Sequence, residues 1–383
     1  TTHTVAGLRE LWDTAVGAGE VGPPIVEGGG VIARSTSSSL ARVDARTGEL
    51  LWTWWPPVDP PEFVSVSDPH IVDGRLLVGY GARVFWEASW VDPATGAELG
   101  DAPYGGLVRA VRGDLVLVES FAYGSLTPVG VYIGVVDRAT GTSTGGLAAI
   151  VDGGTMPQWT LGAGALFNSG PGLPATADPY SGVNVVRAFP LADIDATCGP
   201  PEYDVFACPT WMTEVGSLPT APVVGPGGTT VYVGTAAGEV VALDAASGAV
   251  KWRAAVGAAV AEPPALADGV LYVGTAAGKV VAVDADGCGA PTCPTLWSAT
   301  VGSGAVATQP AVGGSGSKAV VYAATTSGDV AALAAVGCGR ATCRRLWSGS
   351  VGADVSSGPI VSTGRVIVGT ADGRLVAFGL PPR

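Results

Sequence analysis

Apolar residues in this chain form short runs that are separated by glycine, proline or charged residues. A typical pair is Val231-Tyr-Val-Gly-Thr235 followed by Gly238-Glu-Val-Val-Ala-Leu-Asp244. Runs of this length, rich in β-branched and aromatic residues and joined by a tight glycine turn, predict two antiparallel β-strands. Comparable pairs occur at residues 271–284, 321–333 and 366–378. The pattern therefore predicts an all-β protein built from repeated hairpins.

A tryptophan marks one further strand in each repeat. The residues followed four positions later by Val-Gly are Trp12, Trp211, Trp252, Trp297 and Trp347. Successive members from 211 onward are 41, 45 and 50 residues apart. With a proline-led strand before each hairpin, the unit has four short strands. Such a unit, repeated at this interval, is typical of the blades of a β-propeller.

The number of repeats predicts eight blades. Tryptophan strands at 52, 211, 252, 297 and 347 end five of them, and Val91-Asp92 and Val136-Asp137 end the third strands of two more. Residues 358–378 supply only three strands of an eighth, whereas the Trp12 strand at 8–17 has no blade before it. We therefore expect 8–17 and 358–378 to form one closing blade, which leaves no exposed sheet edge at the chain ends.

The predicted fold class is thus an all-β, eight-bladed β-propeller of four-stranded antiparallel blades, closed by the N-terminal tryptophan strand. We expect residues 1–383 to form a single domain in which 55–211 are irregular blades with insertions. Irregular loops on a repetitive scaffold are common places for binding sites.

Residues 231–252, which contain the hairpin described above and Trp252, resemble the pyrroloquinoline-quinone-type propeller repeat with its tryptophan docking motif. The resemblance implies eight blades, each docked on its neighbour by a tryptophan. The docking residues are then Trp12, Trp52, Trp211, Trp252, Trp297 and Trp347. The family has two branches: cofactor-binding alcohol and glucose dehydrogenases, and non-enzymatic relatives that resemble the outer-membrane assembly lipoprotein propeller.

Six cysteines occur in close pairs. In the repeat alignment each pair replaces the turn between the third strand and the tryptophan strand, which predicts the disulfides Cys198–Cys208, Cys288–Cys293 and Cys338–Cys343. Each bond is expected to staple its own hairpin. Zinc binding is the alternative, although the spacing and the lack of a nearby histidine argue against it. Because disulfides persist in oxidising compartments, they predict an extracytoplasmic location: secreted, periplasmic or cell-surface.

The net charge of the chain indicates which classes of partner it can bind. The chain has 20 Lys and Arg against 33 Asp and Glu, a formal charge of -13, which repels phosphate backbones and anionic membranes. Nucleic acid is therefore not expected as a partner. No apolar run is long enough to span a bilayer, so we expect no membrane association apart from that of an anchor, if one has been removed from the chain.

Few residues suit catalysis. The histidines are His3, near the terminus, and His70, which we expect to be structural. The resemblance implies that the dehydrogenase branch holds its cofactor with an adjacent Cys-Cys disulfide, a stacking tryptophan and calcium ligands, but this sequence has no Cys-Cys dipeptide. We therefore predict no catalytic, cofactor-binding or metal-binding residues, no cofactor and no enzymatic activity. The repeated aspartates Asp44, Asp92, Asp137, Asp244 and Asp284 are expected to accept backbone hydrogen bonds in turns rather than to bind calcium.

The remaining tryptophans break the repeat: Trp54, Trp55, Trp86, Trp90 and Trp159. They are expected to fill the core, and any exposed member is a candidate contact for a protein or a sugar. The predicted function is a non-catalytic extracytoplasmic scaffold propeller with a protein partner. One alternative is a small-molecule or glycan receptor that uses the central funnel, which the aromatic-rich insertions at 53–63 and 84–90 suggest. A second is a quinone-dependent dehydrogenase.

Overall fold

The computed structural model describes residues 5–58, 64–82, 85–123, 128–149, 158–162, 164–171, 183–191, 209–306 and 308–381. These residues form eight sheets, one for each predicted blade, and the four strands of the repeat are antiparallel in each. Short 3-10 turns occur at Val5–Gly7, Pro226–Gly228 and Gly316–Lys318. No helix in this part of the chain has the length and apolar character that a membrane span requires. The predicted fold class, an all-β eight-bladed propeller, is confirmed.

The chain divides into two compact units. The first contains Thr1–Trp54, Tyr232–Ala242 and Lys251–Arg383, and the second contains Trp55–Val231 and Leu243–Val250. The organisation of residues 1–383 as a single domain stays a prediction.

Four sheets belong to the first unit. Blade one consists of β2 to β5: Ile25–Glu27, Gly30–Ser35, Ser39–Asp44 and Leu50–Trp54. Blade six consists of β23 to β26 with a fifth strand, β30: Ala265–Ala267, Val270–Gly274, Lys279–Asp284, Trp297–Thr300 and Thr342–Cys343. Blade seven consists of β27, β28, β29 and β31: Ala311–Gly313, Val320–Ala324, Asp329–Ala334 and Trp347–Ser350. Blade eight consists of β32, β33, β34 and β1: Val355–Ser362, Arg365–Thr370, Arg374–Gly379 and Arg9–Ala15.

Three sheets belong to the second unit. Blade two consists of β6 to β10, with its first strand in two pieces: Ser65–Val66, His70–Val72, Arg75–Ala82, Phe85–Val91 and Glu98–Asp101. Blade three consists of β11 to β14: Leu107–Arg112, Leu115–Tyr123, Pro128–Asp137 and Ser143–Ala149. Blade four consists of β15 to β18: Gln158–Leu161, Ala165–Pro171, Asn184–Pro190 and Trp211–Glu214. Blade five has residues in both units and consists of β19 to β22: Val223–Val224, Thr230–Gly234, Glu239–Asp244 and Val250–Ala255.

The two middle strands of each blade carry most of the core. In blade seven every residue of β28 is buried, whereas the outer strand β31 alternates between half-buried and exposed positions. Within the first unit, one core cluster joins Tyr272 and Val280 of blade six to Val321 and Leu333 of blade seven. Middle strands are covered on both faces, which is why they appear in the sequence as continuous apolar runs.

The closing blade is built from both ends of the chain. The strand β1 runs antiparallel to β34, with Trp12 opposite Ala377, and Asp13 forms an ion pair with Arg374. Trp12 is buried and belongs to a core cluster with Val31 and Ala41 of blade one. The predicted closure of the last blade by the N-terminal tryptophan strand is therefore confirmed.

Candidate interaction surface

The tryptophans of the outer strands reach the next blade along the chain. In Trp12, Trp211, Trp297 and Trp347 the Nε1–H group donates to a backbone carbonyl oxygen, that of Ala45 (3.3 Å), Ala245 (3.0 Å), Ala335 (3.2 Å) and Leu8 (2.8 Å) respectively. The first three acceptors directly follow a third strand. In blade eight the third strand leads to the chain end, and Leu8, just before β1, accepts the bond instead.

Glycines make room for these rings. A Cβ atom on Gly287 would lie 2.4 Å from Trp252 Cδ1, and one on Gly337 would lie 2.5 Å from Trp297 Cδ1. Both glycines have positive φ, at 80° and 74°. Each tryptophan therefore packs directly on the backbone of a neighbouring turn. Trp52 lies half-buried on β5, opposite Arg42, and its docking role stays a prediction.

The five tryptophans outside the repeat differ in exposure. Trp54 and Trp90 are buried, and the Arg75 guanidinium lies 4.1 Å above the Trp90 ring. Trp159 is half-buried against Phe189, and Trp86 is also half-buried. Burial leaves Trp54 and Trp90 unable to act as exposed contacts. Trp55, at 51% exposure, is the most accessible of the five.

His70 occupies a structural position. It begins β7, and its Nδ1 hydrogen-bonds the carbonyl oxygen of Asp68 at 3.0 Å. Burial of the imidazole lowers the pKa of His70, because desolvation disfavours the charged form. The ring therefore takes part in a hydrogen bond within blade two, as expected for a structural histidine. His3 lies outside the described residues.

The repeated aspartates serve the turns after the third strands. Asp44 Oδ1 accepts N–H bonds from Arg46 (2.8 Å) and Thr47 (2.7 Å), and Asp137 and Asp244 make the same pair of bonds in their own turns. The bond from the Thr47 backbone is the main reason that the pKa of Asp44 lies below its usual value. In the described ranges, no group of three His, Cys, Asp or Glu side chains could hold a metal ion.

Two disulfides connect cysteines within single turns. The Cα atoms are 5.5 Å apart in Cys288–Cys293 and 5.7 Å apart in Cys338–Cys343. Each bond closes the loop between the third and outer strands of its own blade. The third predicted pair, Cys198 and Cys208, lies outside the described residues.

The stapled loops also contact the blade before them, a feature that the sequence pattern does not reveal. Arg253 of β22 donates its N–H to the Pro291 carbonyl (2.9 Å) and accepts a bond from the Cys293 N–H (2.8 Å). In the next blade, Ser298 of β26 donates to Ala341 (2.8 Å), and β30 pairs in parallel with β26. Each loop thus covers the outer edge of a neighbouring sheet, an edge that would otherwise be open to other chains.

The blade-six loop (residues 284–295) and the blade-seven loop (residues 334–345) align without gaps but differ in charge. The blade-six loop has two acidic residues, Asp284 and Asp286, and no basic ones. The blade-seven loop has three basic residues, Arg340, Arg344 and Arg345, and no acidic ones. Both loops have an equivalent disulfide and equivalent edge pairing, so these two features do not depend on the charge pattern.

An open groove lies between blade six and the blade-seven loop. Its volume is about 570 Å³, and it is lined by Val270, Leu296, Trp297, Ala335, Val336, Gly339, Arg340 and Ala341. Val336 is 61% exposed and Leu296 47% exposed, while Trp297 is buried. Large apolar side chains exposed beside a groove are typical of interaction sites.

A second groove occupies the equivalent position between blades four and five. It has a volume of about 340 Å³, with Trp211 and the Asp244–Ala246 turn in its lining. Its lining contains the Asp244 carboxylate and no basic residue. The two grooves share their place in the repeat but differ in chemistry.

The two described disulfides do not fit the adjacent Cys-Cys bond that the dehydrogenase branch implies for its quinone cofactor. The paired cysteines are five residues apart in each loop, so neither disulfide joins adjacent cysteines. Asp44, Asp137 and Asp244 use Oδ1 for backbone hydrogen bonds in their turns, as described above.

Solved structures with a similar fold cover almost the whole chain. A computationally designed protein, Ika8, matches with a TM-score of 0.66 and 14% identity over 97% of this chain and 99% of its own. BamB from Moraxella catarrhalis matches with a TM-score of 0.58 and 14% identity over the same shares. Quinohemoprotein alcohol dehydrogenase from Comamonas testosteroni matches with a TM-score of 0.62 and 16% identity, over 100% of this chain and 78% of its own. At these identities the similarity shows the fold alone.

Comparison of sequences identifies the protein family, which the similarity of fold alone does not. No curated protein sequence matches the chain. The profile of one protein family, described as outer membrane protein assembly factor BamB, matches residues 6–150 and 209–337. These two segments make up well over half of the chain and include Trp12, Trp52, Trp211, Trp252 and Trp297. The chain therefore belongs to the family of the outer membrane protein assembly factor BamB.

Proposed function

We propose that this protein is a non-catalytic protein-interaction propeller that works outside the cytoplasm. The family is named for a factor in outer membrane protein assembly, which supports a role in contacts with other proteins. The observation that carries the proposal is the groove beside the blade-seven loop, where Val336 and Leu296 are exposed on a disulfide-stapled rim. A stapled loop is already ordered before binding, which lowers the entropic cost of complex formation.

The extracytoplasmic location is supported by the two disulfides. Cys288–Cys293 and Cys338–Cys343 lie on exposed loops, where a reducing cytoplasm would have access to them. An oxidising compartment preserves both bonds and the edge pairing that they stabilise.

Photo-cross-linking from several exposed positions tests the proposed function. A benzophenone amino acid is placed singly at Val26, Leu99, Leu218, Val250 or Val336, all of which are exposed apolar positions. In native cells we expect at least one position to give an ultraviolet-dependent adduct with one discrete polypeptide, identified by mass spectrometry. Absence of a protein adduct at every position would contradict the proposal.

The dehydrogenase alternative has a direct test. The purified protein is incubated with pyrroloquinoline quinone and calcium, and reduction of an artificial dye by alcohols or sugars is followed by absorbance. We expect no turnover above that of the cofactor alone. Robust turnover would show that the protein is a quinone-dependent dehydrogenase and would contradict the proposed non-catalytic role.

The receptor alternative depends on exposed aromatic residues, of which Trp55 is the most accessible tryptophan outside the repeat. Glycan binding of the Trp55→Ala variant and of the unchanged protein is compared on a glycan array. This comparison distinguishes the receptor alternative from the proposed function. A glycan signal that is lost in the variant would favour a receptor.

A further inference from the structure

The blade-seven loop combines positive charge with an apolar groove, and we propose that it docks a short acidic segment of a partner protein that carries one large apolar side chain. This inference rests on the proposed function and names the chemistry of the partner at one site. The apolar side chain enters the groove between Leu296 and Val336, and the carboxylates pair with Arg340 and Arg344.

The two arginines are available for such pairing. Arg340 lines the groove, and Arg344 lies on the same loop next to Cys343. Both are exposed, and neither forms an ion pair or a side-chain hydrogen bond with the residues that the structure describes. Arg345, by contrast, donates to the Val301 carbonyl at 2.7 Å and helps to hold the loop on blade six. The guanidinium group binds carboxylates with two parallel hydrogen bonds, which gives both affinity and orientation.

The comparison between the two loops separates structural from functional residues. Val336 and Arg340 occupy the positions of Asp286 and Ala290 in the blade-six loop. In each case a loop carbonyl accepts a backbone hydrogen bond from the outer strand of the preceding blade: Pro291 accepts from Arg253, and Ala341 accepts from Ser298. The edge pairing therefore forms with either pair of residues, so Val336 and Arg340 are not needed for it and can serve a ligand.

The charge of the whole chain favours a short segment over an extended polyanion. With a formal charge of -13, the protein repels a large anionic surface or polymer, whose many charges interact with the entire molecule. A short acidic segment interacts mainly with charges within about 8 Å, the screening length at physiological salt. Locally, the blade-seven loop has three positive charges and no negative ones.

Fluorescence anisotropy with a defined peptide tests the proposal. The probe is a fluorescein-labelled peptide of twelve residues with four aspartates around a central leucine. Two comparison peptides replace the aspartates by asparagine or the leucine by serine. We expect the probe to bind the full chain at least tenfold more tightly than either comparison peptide, and to weaken as sodium chloride is raised.

The matched variants exchange the equivalent residues of the two loops. Val336→Asp with Arg340→Ala installs the blade-six residues in the blade-seven loop, where they are compatible with the fold, and we expect it to reduce affinity at least tenfold. Asp286→Val with Ala290→Arg makes the opposite exchange in the blade-six loop and is expected to leave affinity at the groove undiminished. Unchanged circular dichroism and thermal unfolding show that each variant is folded.

Three outcomes would overturn the proposal: equal binding of the acidic and asparagine peptides, unchanged affinity in the Val336→Asp and Arg340→Ala variant, or binding to phosphatidylglycerol vesicles without binding to the peptide. The cross-linking experiment keeps this failure distinct from failure of the proposed function. A protein adduct found only at Val26, Leu99, Leu218 or Val250, together with no peptide binding, would retain the interaction role and reject this site.

Discussion

At the scale of single residues, the contact between a tryptophan and a glycine joins neighbouring blades. Gly337 and Gly339 have nearly the same positive φ, 74° and 71°. A Cβ on Gly337 would meet Trp297 at 2.5 Å, whereas one on Gly339 has nothing within 4 Å. The pair therefore allows the cost of the backbone conformation to be separated from the cost of the tryptophan contact.

We predict that Gly339→Ala lowers the free energy of unfolding by about 1–2 kcal/mol, the cost of a left-handed backbone for a residue with a Cβ. Gly337→Ala should lose about 1–3 kcal/mol more, because the added methyl group displaces the Trp297 ring. Urea denaturation followed by circular dichroism measures both. Equal losses in the two variants would mean that the docking contact contributes nothing.

The turn aspartates predict a dependence of stability on pH. The Thr140 side chain and then its backbone N–H donate to Asp137, and these bonds hold the pKa of Asp137 below the usual value of 3.8. A carboxylate whose pKa is lower in the folded state stabilises the protein above the unfolded value, and this contribution is lost as pH falls through the folded pKa.

Asp137→Asn should therefore destabilise the protein at pH 6, and the difference from the unchanged protein should shrink as the pH falls below about 4. The measurement is urea denaturation at a series of pH values. Asp286→Asn serves as the control, since the Asp286 carboxylate accepts no hydrogen bond from the described residues. A pH-independent effect of Asp137→Asn would contradict the assigned role.

At the scale of elements, each stapled loop acts on two sheets. The disulfide closes a loop in its own blade, and the same loop pairs with the outer strand of the preceding blade. The cysteine spacing predicts the disulfide within each blade, because both cysteines lie in one turn. The pairing with the preceding blade depends on the direction in which the loop leaves its own sheet. The local sequence does not predict that direction.

Removal of one disulfide should affect one preceding blade only. We predict that Cys338→Ser with Cys343→Ser speeds amide exchange at Ser298, whose N–H donates to Ala341, and leaves Arg253 unchanged. Cys288→Ser with Cys293→Ser should do the opposite. Each double variant should also lose about 2 kcal/mol of stability, the loop-entropy value for so short a loop.

Hydrogen–deuterium exchange at the level of single residues measures both effects, and each variant is the control for the other. Faster exchange at both positions in either variant would show general destabilisation. In that case the loops would not act as separate covers for separate edges.

At the scale of the whole molecule, the closing blade makes the fold depend on both chain ends. The strand β1 supplies the outer edge of blade eight and buries Trp12 against blade one. Loss of a buried tryptophan costs about 3–5 kcal/mol, a large fraction of the total stability of about 5–15 kcal/mol that is typical of proteins.

We predict that deletion of residues 1–17 gives an aggregated or unfolded protein. A circular permutant that begins at Glu20 and joins Leu380 to Val5 through a short flexible linker should fold normally, because Arg9 and Gly379 are already paired across the two strands. Size-exclusion chromatography and thermal unfolding compare the two. A stable monomer after the deletion would show that blade eight does not need β1.

The sequence by itself determined the number of blades, their strand composition and the origin of the closing strand. These features follow from local rules: β-strands of few residues, turns that require glycine or aspartate, and a tryptophan at a fixed place in each unit. Repetition makes the same local signal visible several times, so a weak pattern in one repeat is supported by the others. The pairing of cysteines within single turns has the same local origin.

Only the tertiary structure decided which surfaces the repeats present. Trp54 and Trp90 are buried while Trp55 is exposed, although all three break the repeat in the same region of the sequence. Other features join residues from different blades. They are the edge pairing of the stapled loops, the hydrogen bond from Trp347 to Leu8, and the groove that is lined by both Leu296 and Val336. Burial and contact of this kind depend on how separate strands meet in space, and that information is not contained in the order of residues within any one repeat.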